Sequence, residues 1–160
     1  MLPIILVGVA TLYLSGIFGN SIPSFTGERL DGRTYTKENL RPDLPVVFCY
    51  IDVMCEECKE LVRQIIAHEE SFKSTQVIII SPQESIMIGG FQNNFELKKY
   101  PFITILNDRF KNFDTVIKAQ RFPTALVYGK SHNLLRRYDN LNTKSQVEEA
   151  VKQMIELLKK

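Results

Sequence analysis

Between Pro45 and Ile51 the chain reads Pro-Val-Val-Phe-Cys-Tyr-Ile, a near-continuous apolar run of strand length. Such a run reads as a strand buried at the centre of a sheet rather than as one with a wet face. It stops at Asp52-Val53-Met54, and an amphipathic helix follows. From Cys55 onward Leu61, Val62, Ile65 and Ile66 recur at three- and four-residue steps, with Lys59, Glu60, Arg63 and Gln64 on the opposite face.

The rest of the chain alternates in the same way. Ser21 to Leu44 is polar and turn-rich, with turn signals at Thr26-Gly27 and Asp31-Gly32 and a short hairpin expected there. Val77 to Ile80 reads as a second buried strand, stopped by Ser81-Pro82. A helix is expected over about 84–99, a short strand over 102–106, and a connecting helix through 113–119. Pro123 to Tyr128 reads as a strand, turned by Gly129–Asn133 into a partner at Leu134–Tyr138. Thr143 and Gln146 have capping-box spacing ahead of a last helix whose apolar face is Val147, Ala150, Val151, Met154, Ile155 and Leu158. Strand–helix–strand units closed by a hairpin and a helix predict an α/β layered domain.

With 160 residues, 44% of them hydrophobic and 24% charged, the chain suits one domain with one core. Its formal net charge is +2 with acids and bases interspersed, so no basic stripe supports a nucleic-acid partner. Residues Met1 to Phe18 carry no charged side chain; the first is Glu28. That run approaches the ~20 residues of a membrane-spanning helix and also suits the apolar part of a secretory signal. A positive n-region is missing, and Gly19-Asn20-Ser21 offers a small-x-small cleavage site. Residues 1–21 are therefore read as a signal peptide or membrane anchor, and 22–160 as the domain. The expected location is extracytoplasmic, periplasmic or secreted, with residues 1–18 as the membrane contact if they are retained.

Three cysteines, Cys49, Cys55 and Cys58, are too few and too odd in number for a disulfide-stapled scaffold. Cys55-Glu56-Glu57-Cys58 lies where the buried strand gives way to the helix. The thiolate is the reactive form of cysteine, and the unpaired N–H groups of a helix's first turn stabilise negative charge. Cys55 is the expected nucleophile, and Cys58, one turn in, the more buried resolving thiol. Zinc sites also use this spacing but need about four ligands. His68 lies ten residues beyond Cys58, about 15 Å along a helix, and His132 in a distant hairpin turn. No metal is expected, and both histidines are read as surface residues.

A buried strand, a C-x-x-C at a helix start and Phe122-Pro123-Thr124 opening a later strand resemble the thioredoxin superfamily. The segment Ile22-Pro23-Ser24-Phe25-Thr26 with Asp31-Gly32-Arg33, the apolar leader and the element between the cysteines and Pro123 are similar to its TlpA-like, membrane-anchored members with an AhpC/TSA–redoxin-type domain. The resemblance implies a central mixed sheet flanked by helices, with an N-terminal extension and one insertion before the strand that Pro123 opens. It implies that Pro123 is cis, faces the cysteine pair and, with Phe122, presents backbone to a substrate peptide. Of Arg121, Phe122 and Tyr128, only Phe122 is expected beside the site.

That resemblance also implies thiol–disulfide exchange with extracytoplasmic proteins, an upstream membrane or periplasmic electron donor, and no cofactor beyond a Cys55–Cys58 disulfide. Departures from the family pattern are Met54 in place of tryptophan, Glu57 in place of proline, and Cys49 where a buried Asp or Asn often helps proton transfer. Cys49 reads as a small apolar residue, with a third redox thiol as the alternative. Asp52 reads as an exposed loop carboxylate, with a proton relay as the alternative.

Glu56 and Glu57 bear on redox direction. The helix terminus stabilises an anion by ~0.3–1 kcal/mol, while two exposed carboxylates ~7 Å away each oppose it by roughly 0.6 kcal/mol. These nearly cancel, which favours a reductase or exchange role over that of a strong oxidant. Two other readings share the fold: a peroxiredoxin-like peroxidase and a non-catalytic binding module. Tyr50 to Cys55 holds neither the Thr nor the Pro usual ahead of a peroxidatic cysteine, and an intact C-x-x-C argues against mere binding.

Overall fold

The computed structural model describes residues 20–160; of the signal peptide or anchor read over 1–21, residues 1–19 lie outside them. In chain order the elements are β1 (Thr26–Arg29), β2 (Thr34–Thr36), β3 (Val46–Tyr50), α1 (Glu56–Ala67), α2 (Glu69–Phe72), β4 (Gln76–Ser81) and α3 (Ser85–Asn94). Then come β5 (Ile103–Asn107), α4 (Asn112–Ile117), β6 (Thr124–Tyr128), β7 (Leu134–Tyr138) and α5 (Lys144–Leu158). Single 3-10 turns lie at Lys37–Asn39 and Leu97–Lys99.

The strands form one mixed sheet in the order β2-β1-β5-β4-β3-β6-β7. β3 runs parallel to β4 and antiparallel to β6, so every residue of β3 has a neighbour on both sides and is buried. Alternation along β3 then sends side chains to two cores. Val47 and Cys49 join Leu61, Val62 and Ile65 of α1 and Val147, Val151 and Met154 of α5. Val46, Phe48 and Tyr50 join Phe25, Tyr35, Leu126, Tyr128 and Phe113 of α4 on the opposite face. Layers on both faces explain why the strand carries no polar alternation. The expected α/β architecture, with an N-terminal hairpin and an insertion carrying α3, β5 and α4, is what the chain adopts.

Three local expectations need correction. The helix expected over 84–99 ends at Asn94, because Glu96 turns left-handed at φ 51° and restarts the chain as a 3-10 turn. The helix expected through 119 stops at Ile117, with Lys118 left-handed at its C-terminus. Glu60, assigned to the wet face of α1, is only 8% exposed; its carboxylate accepts from Gln64 and Arg63, which satisfies the buried charge and keeps the carboxyl below its ordinary range, Gln64 foremost.

The cap of α5 follows the sequence reading in modified form. Thr143 Oγ1 accepts from the Gln146 amide at 3.2 Å, while the Gln146 side chain reaches back to the amide of Asn142, one residue before the cap. Thr143→Ala should lower the unfolding free energy by about 1 kcal/mol, the usual worth of such a cap, read from a denaturant midpoint at unchanged slope.

Candidate active site at the start of helix α1

The centre of the sheet ends at Tyr50, and the next residues build a tight entry to α1. Ile51 donates its amide to the Ile80 carbonyl at 2.9 Å, extending the β3–β4 ladder by one step. Asp52 then folds back on the loop: its Oδ1 accepts from the Met54 amide at 2.8 Å and its carbonyl from the Cys55 amide at 3.2 Å. Gln83, after β4, anchors the loop from the side by accepting the Val53 amide at 3.3 Å. Asp52 is half-buried, where the sequence suggested exposure, because these bonds hold it against the loop.

Cys55 occupies the N-cap of α1 in an extended conformation (φ −75°, ψ 129°). Its Sγ accepts the Cys58 amide at 3.2 Å, the bond that a capping oxygen would ordinarily take. The nucleophile candidate is therefore also the cap, and its sulfur points at the amide array where a thiolate is best stabilised. Cys55 is partly exposed, Cys58 is fully buried, and both are free thiols. Burial pushes the Cys58 thiol well above its ordinary range, helped by the neighbouring Cys55 side chain, while the Asp52 backbone opposes the rise. Of the two, only Cys55 can meet a partner in solvent.

The Phe122–Pro123 peptide is cis, and the Phe122 carbonyl lies 3.8 Å from Cys55 Sγ. Phe122 is 38% exposed and stacks at 5.3 Å on Tyr50, the last residue of β3. Tyr50 in turn donates its hydroxyl to Asp108 at 3.2 Å, and Asp108 accepts the amides of Phe113 and Asp114 at the start of α4. Burial, then the Asp108 and Asp114 carboxylates, hold the Tyr50 hydroxyl well above its ordinary range, so it stays a donor. Tyr50 thus supports the proline loop from below. Sequence reading gave it no role, since an aromatic in an apolar run signals only core. As expected, Tyr128 is core, while the exposed Arg121 turns to Asn142 at 3.2 Å.

The two glutamates do not act alike. Glu56 points away from the site, in ion pairs with Lys59 at 2.7 Å and Arg63 at 3.8 Å that hold its carboxyl below its ordinary range, Lys59 foremost. Glu57 turns inward and brings Oε2 to 3.7 Å from Cys55 Sγ. The ~7 Å separation expected for both is therefore wrong for Glu57, because its side chain curls over the helix start instead of extending into water.

Cys49 is wholly buried in β3 between Ile79 and Ala125, and burial pushes its thiol up to about 12. The histidines are half-buried rather than free on the surface. His68 donates from Nδ1 to the Gln64 carbonyl at 2.8 Å, and His132 from Nε2 to that of Leu44 at 3.1 Å. Among the described residues no three His, Cys, Asp or Glu side chains converge on a metal position, and no helix is long and apolar enough to cross a membrane.

Comparison with known proteins agrees with this geometry. The sequence pattern of the AhpC/TSA family matches residues 18–156. No curated protein sequence matches the chain. Among solved structures, a secreted Mycobacterium tuberculosis disulfide oxidoreductase homologous to E. coli DsbE superposes with a TM-score of 0.62 at 16% identity, covering 81% of this chain and 95% of that one. A thiol:disulfide interchange protein of the thioredoxin family from Chlorobium tepidum gives 0.58 at 16% identity, over 84% and 95%. The exposed lipoprotein thioredoxin Etrx1 of Streptococcus pneumoniae gives 0.57 at 16%, over 82% and 99%. At such identities the likeness is one of fold, and the fold is thioredoxin-like.

Proposed function

The chain belongs to the AhpC/TSA family, and from that premise we propose that it is a thiol–disulfide oxidoreductase that reduces or exchanges disulfides of extracytoplasmic proteins through Cys55 and Cys58. The observation that carries the reading is the position of Cys55 Sγ, which meets both the Cys58 amide at 3.2 Å and the carbonyl before the cis proline at 3.8 Å. One sulfur therefore faces a helix terminus, a buried second thiol in the next turn, and the backbone of the cis-proline loop, along which an extended peptide can lie.

In the reducing direction the Cys55 thiolate attacks one sulfur of the client disulfide. A Cys55–client bond forms, the client S–S bond breaks, and the released client thiolate takes a proton from water. Cys58 then loses its proton and attacks Cys55 Sγ, forming Cys55–Cys58 and releasing the second client thiol. Two electrons pass to the client, and no cofactor is needed beyond the cysteine pair. An electron donor in the membrane or periplasm must afterwards return two electrons to that pair. Phe122 and Pro123 would hold the client backbone. Asp52 shapes the loop, Glu56 stays paired on the surface, and Cys49 serves as a small apolar side chain of β3.

A site outside the cytoplasm is supported by the uncharged run from Met1 to Phe18, suited to export or anchoring. Two of the similar folds belong to proteins described as secreted and as an exposed lipoprotein. The interspersed charge gives no support to a nucleic-acid partner.

Insulin reduction with dithiothreitol, run beside peroxide consumption, tests the reading. The expected result is accelerated insulin precipitation with no peroxide turnover. Peroxide turnover alone would replace the reading by a peroxidase, and activity in neither assay would leave a binding module.

A further inference from the structure

A carboxylate at the nucleophile is an unusual neighbour. Glu57 Oε2 is 3.7 Å from Cys55 Sγ, in the geometry of a thiol donating to a carboxylate. Unlike Glu56, Glu57 makes no ion pair among the described residues. Its charge is thus uncompensated, and it sits on the one atom that must become an anion before exchange begins. We propose that Glu57 is an electrostatic brake on Cys55, holding it as a hydrogen-bonded thiol and restraining its attack.

Two physical effects act together. The S–H group loses its acceptor if it ionises, and the resulting thiolate then faces a second negative charge. Two unit charges 3.7 Å apart in a water-like dielectric disfavour one another by roughly tenfold in equilibrium constant, more where the site is drier. Proton transfer to Glu57 does not offer an escape, because an ordinary thiol is weaker as an acid than an ordinary carboxyl by about four pKa units. The proton leaves to solvent, and Glu57 restrains that loss.

Other charges around Cys55 do not cancel the effect. Asp52, on the loop before the helix, is itself acidic and occupied by the Met54 amide. Lys59 and Arg63 on α1 are engaged by Glu56 and Glu60. Arg121 on the proline loop donates to Asn142. Cys58, the remaining titratable neighbour, is kept protonated by burial. The helix terminus is the stabilising influence on a Cys55 thiolate, and Glu57 opposes it at contact distance.

The inference rests on the proposed exchange reaction for its purpose, yet its test needs no client. Alkylation of Cys55 by iodoacetamide in the reduced full-length chain, followed by mass spectrometry across pH 5–10, reads the thiolate directly. Glu57→Gln and Glu57→Ala should each move the midpoint of that profile down by about one pH unit, raising the rate at pH 7 roughly threefold, since the gain in thiolate is partly offset by the lower nucleophilicity of a more acidic thiol. Glu56→Gln, which removes the same formal charge from a residue turned away, should move it by less than half as much. An unchanged or raised midpoint in both Glu57 variants would overturn the proposal. So would an equal shift in Glu56→Gln, which would trace the effect to the general field of the helix start. A profile that shifts as expected in a chain inactive on insulin would retain the brake and remove the reductase.

Discussion

Cys58→Ser should stop the reaction at its midpoint: incubated with a disulfide-bonded client, the variant accumulates a covalent complex joined through Cys55, visible on a non-reducing gel and dissolved by dithiothreitol. Cys55→Ser should form no complex and lose catalysis by on the order of 10³-fold or more, as when an attacking nucleophile is removed. The difference follows from access. Cys58 is fully buried, so no client sulfur can reach it first, while Cys55 stands partly exposed at the N-cap. Once the mixed disulfide has formed, the client's bond to Cys55 is the one disulfide within reach of the Cys58 sulfur one helical turn away. The hydroxyl of serine fits the space of a buried thiol but cannot attack, so the intermediate has nowhere to go.

Resolution in the wild type carries a pH signature of its own. Burial raises the Cys58 thiol well above its ordinary range, so the fraction able to attack grows as pH rises. The decay of the mixed disulfide, followed by acid quenching after it has formed in a single turnover, should therefore be slower at pH 6 than at pH 8. Equal decay rates at the two values, or a Cys58→Ser variant that turns over like the wild type, would mean that another group resolves the complex.

Much of this was legible in the chain itself, for a physical reason that also marks where legibility ended. The apolar run at Pro45–Ile51 and the three- and four-residue steps after Cys55 are one-dimensional signals, set by a strand buried on both faces and a helix with one face on the core. The cysteine pair could be placed at their junction because the junction is local. The ends of the insertion's helices could not, since Glu96 and Lys118 take left-handed conformations without being glycine or asparagine. No composition rule signals that choice; tertiary packing imposes it.

The site shows the same divide. That Phe122 lies near Cys55 follows from a family pattern, but the support beneath it comes from Tyr50, stacked on the ring, and Asp108, which holds the Tyr50 hydroxyl. Those residues are far apart in sequence, and each has an ordinary reading alone. Glu56 and Glu57 are the sharpest case. Adjacent residues of identical chemistry differ because one points toward Lys59 and Arg63 along the helix, while the other curls back over the cap. A rotamer separates them, and a sequence carries no rotamers.

Raising the pH from 7 to 9.5 should cost the reduced protein about 3 kcal/mol of stability, half of it traceable to Cys49. An ordinary thiol titrates at about 8.5, and the unfolded chain exposes Cys49 and Cys58 as ordinary thiols. In the folded chain burial pushes Cys49 up to about 12 and Cys58 in the same direction. Below pH ~8.5 both states hold these protons and the full stability is present. Above it the unfolded state releases them while the folded state keeps them, so stability falls as pH rises, at up to ~1.4 kcal/mol per pH unit per thiol. At pH 9.5 that amounts to about 1.4 kcal/mol for each. The tyrosines raised by burial, Tyr35, Tyr50, Tyr128 and Tyr138, add a smaller increment to the slope from about pH 9 upward, an ordinary phenol being half-ionised near 10. Urea midpoints measured under reductant at pH 7 and 9.5 give the slope directly. Cys49→Ala starts from a lower stability at pH 7 but should lose only about half as much over the interval. A variant that loses as much as the wild type would show that Cys49 ionises in place, a thiolate inside the sheet between Ile79 and Ala125, and would reopen it as a redox group.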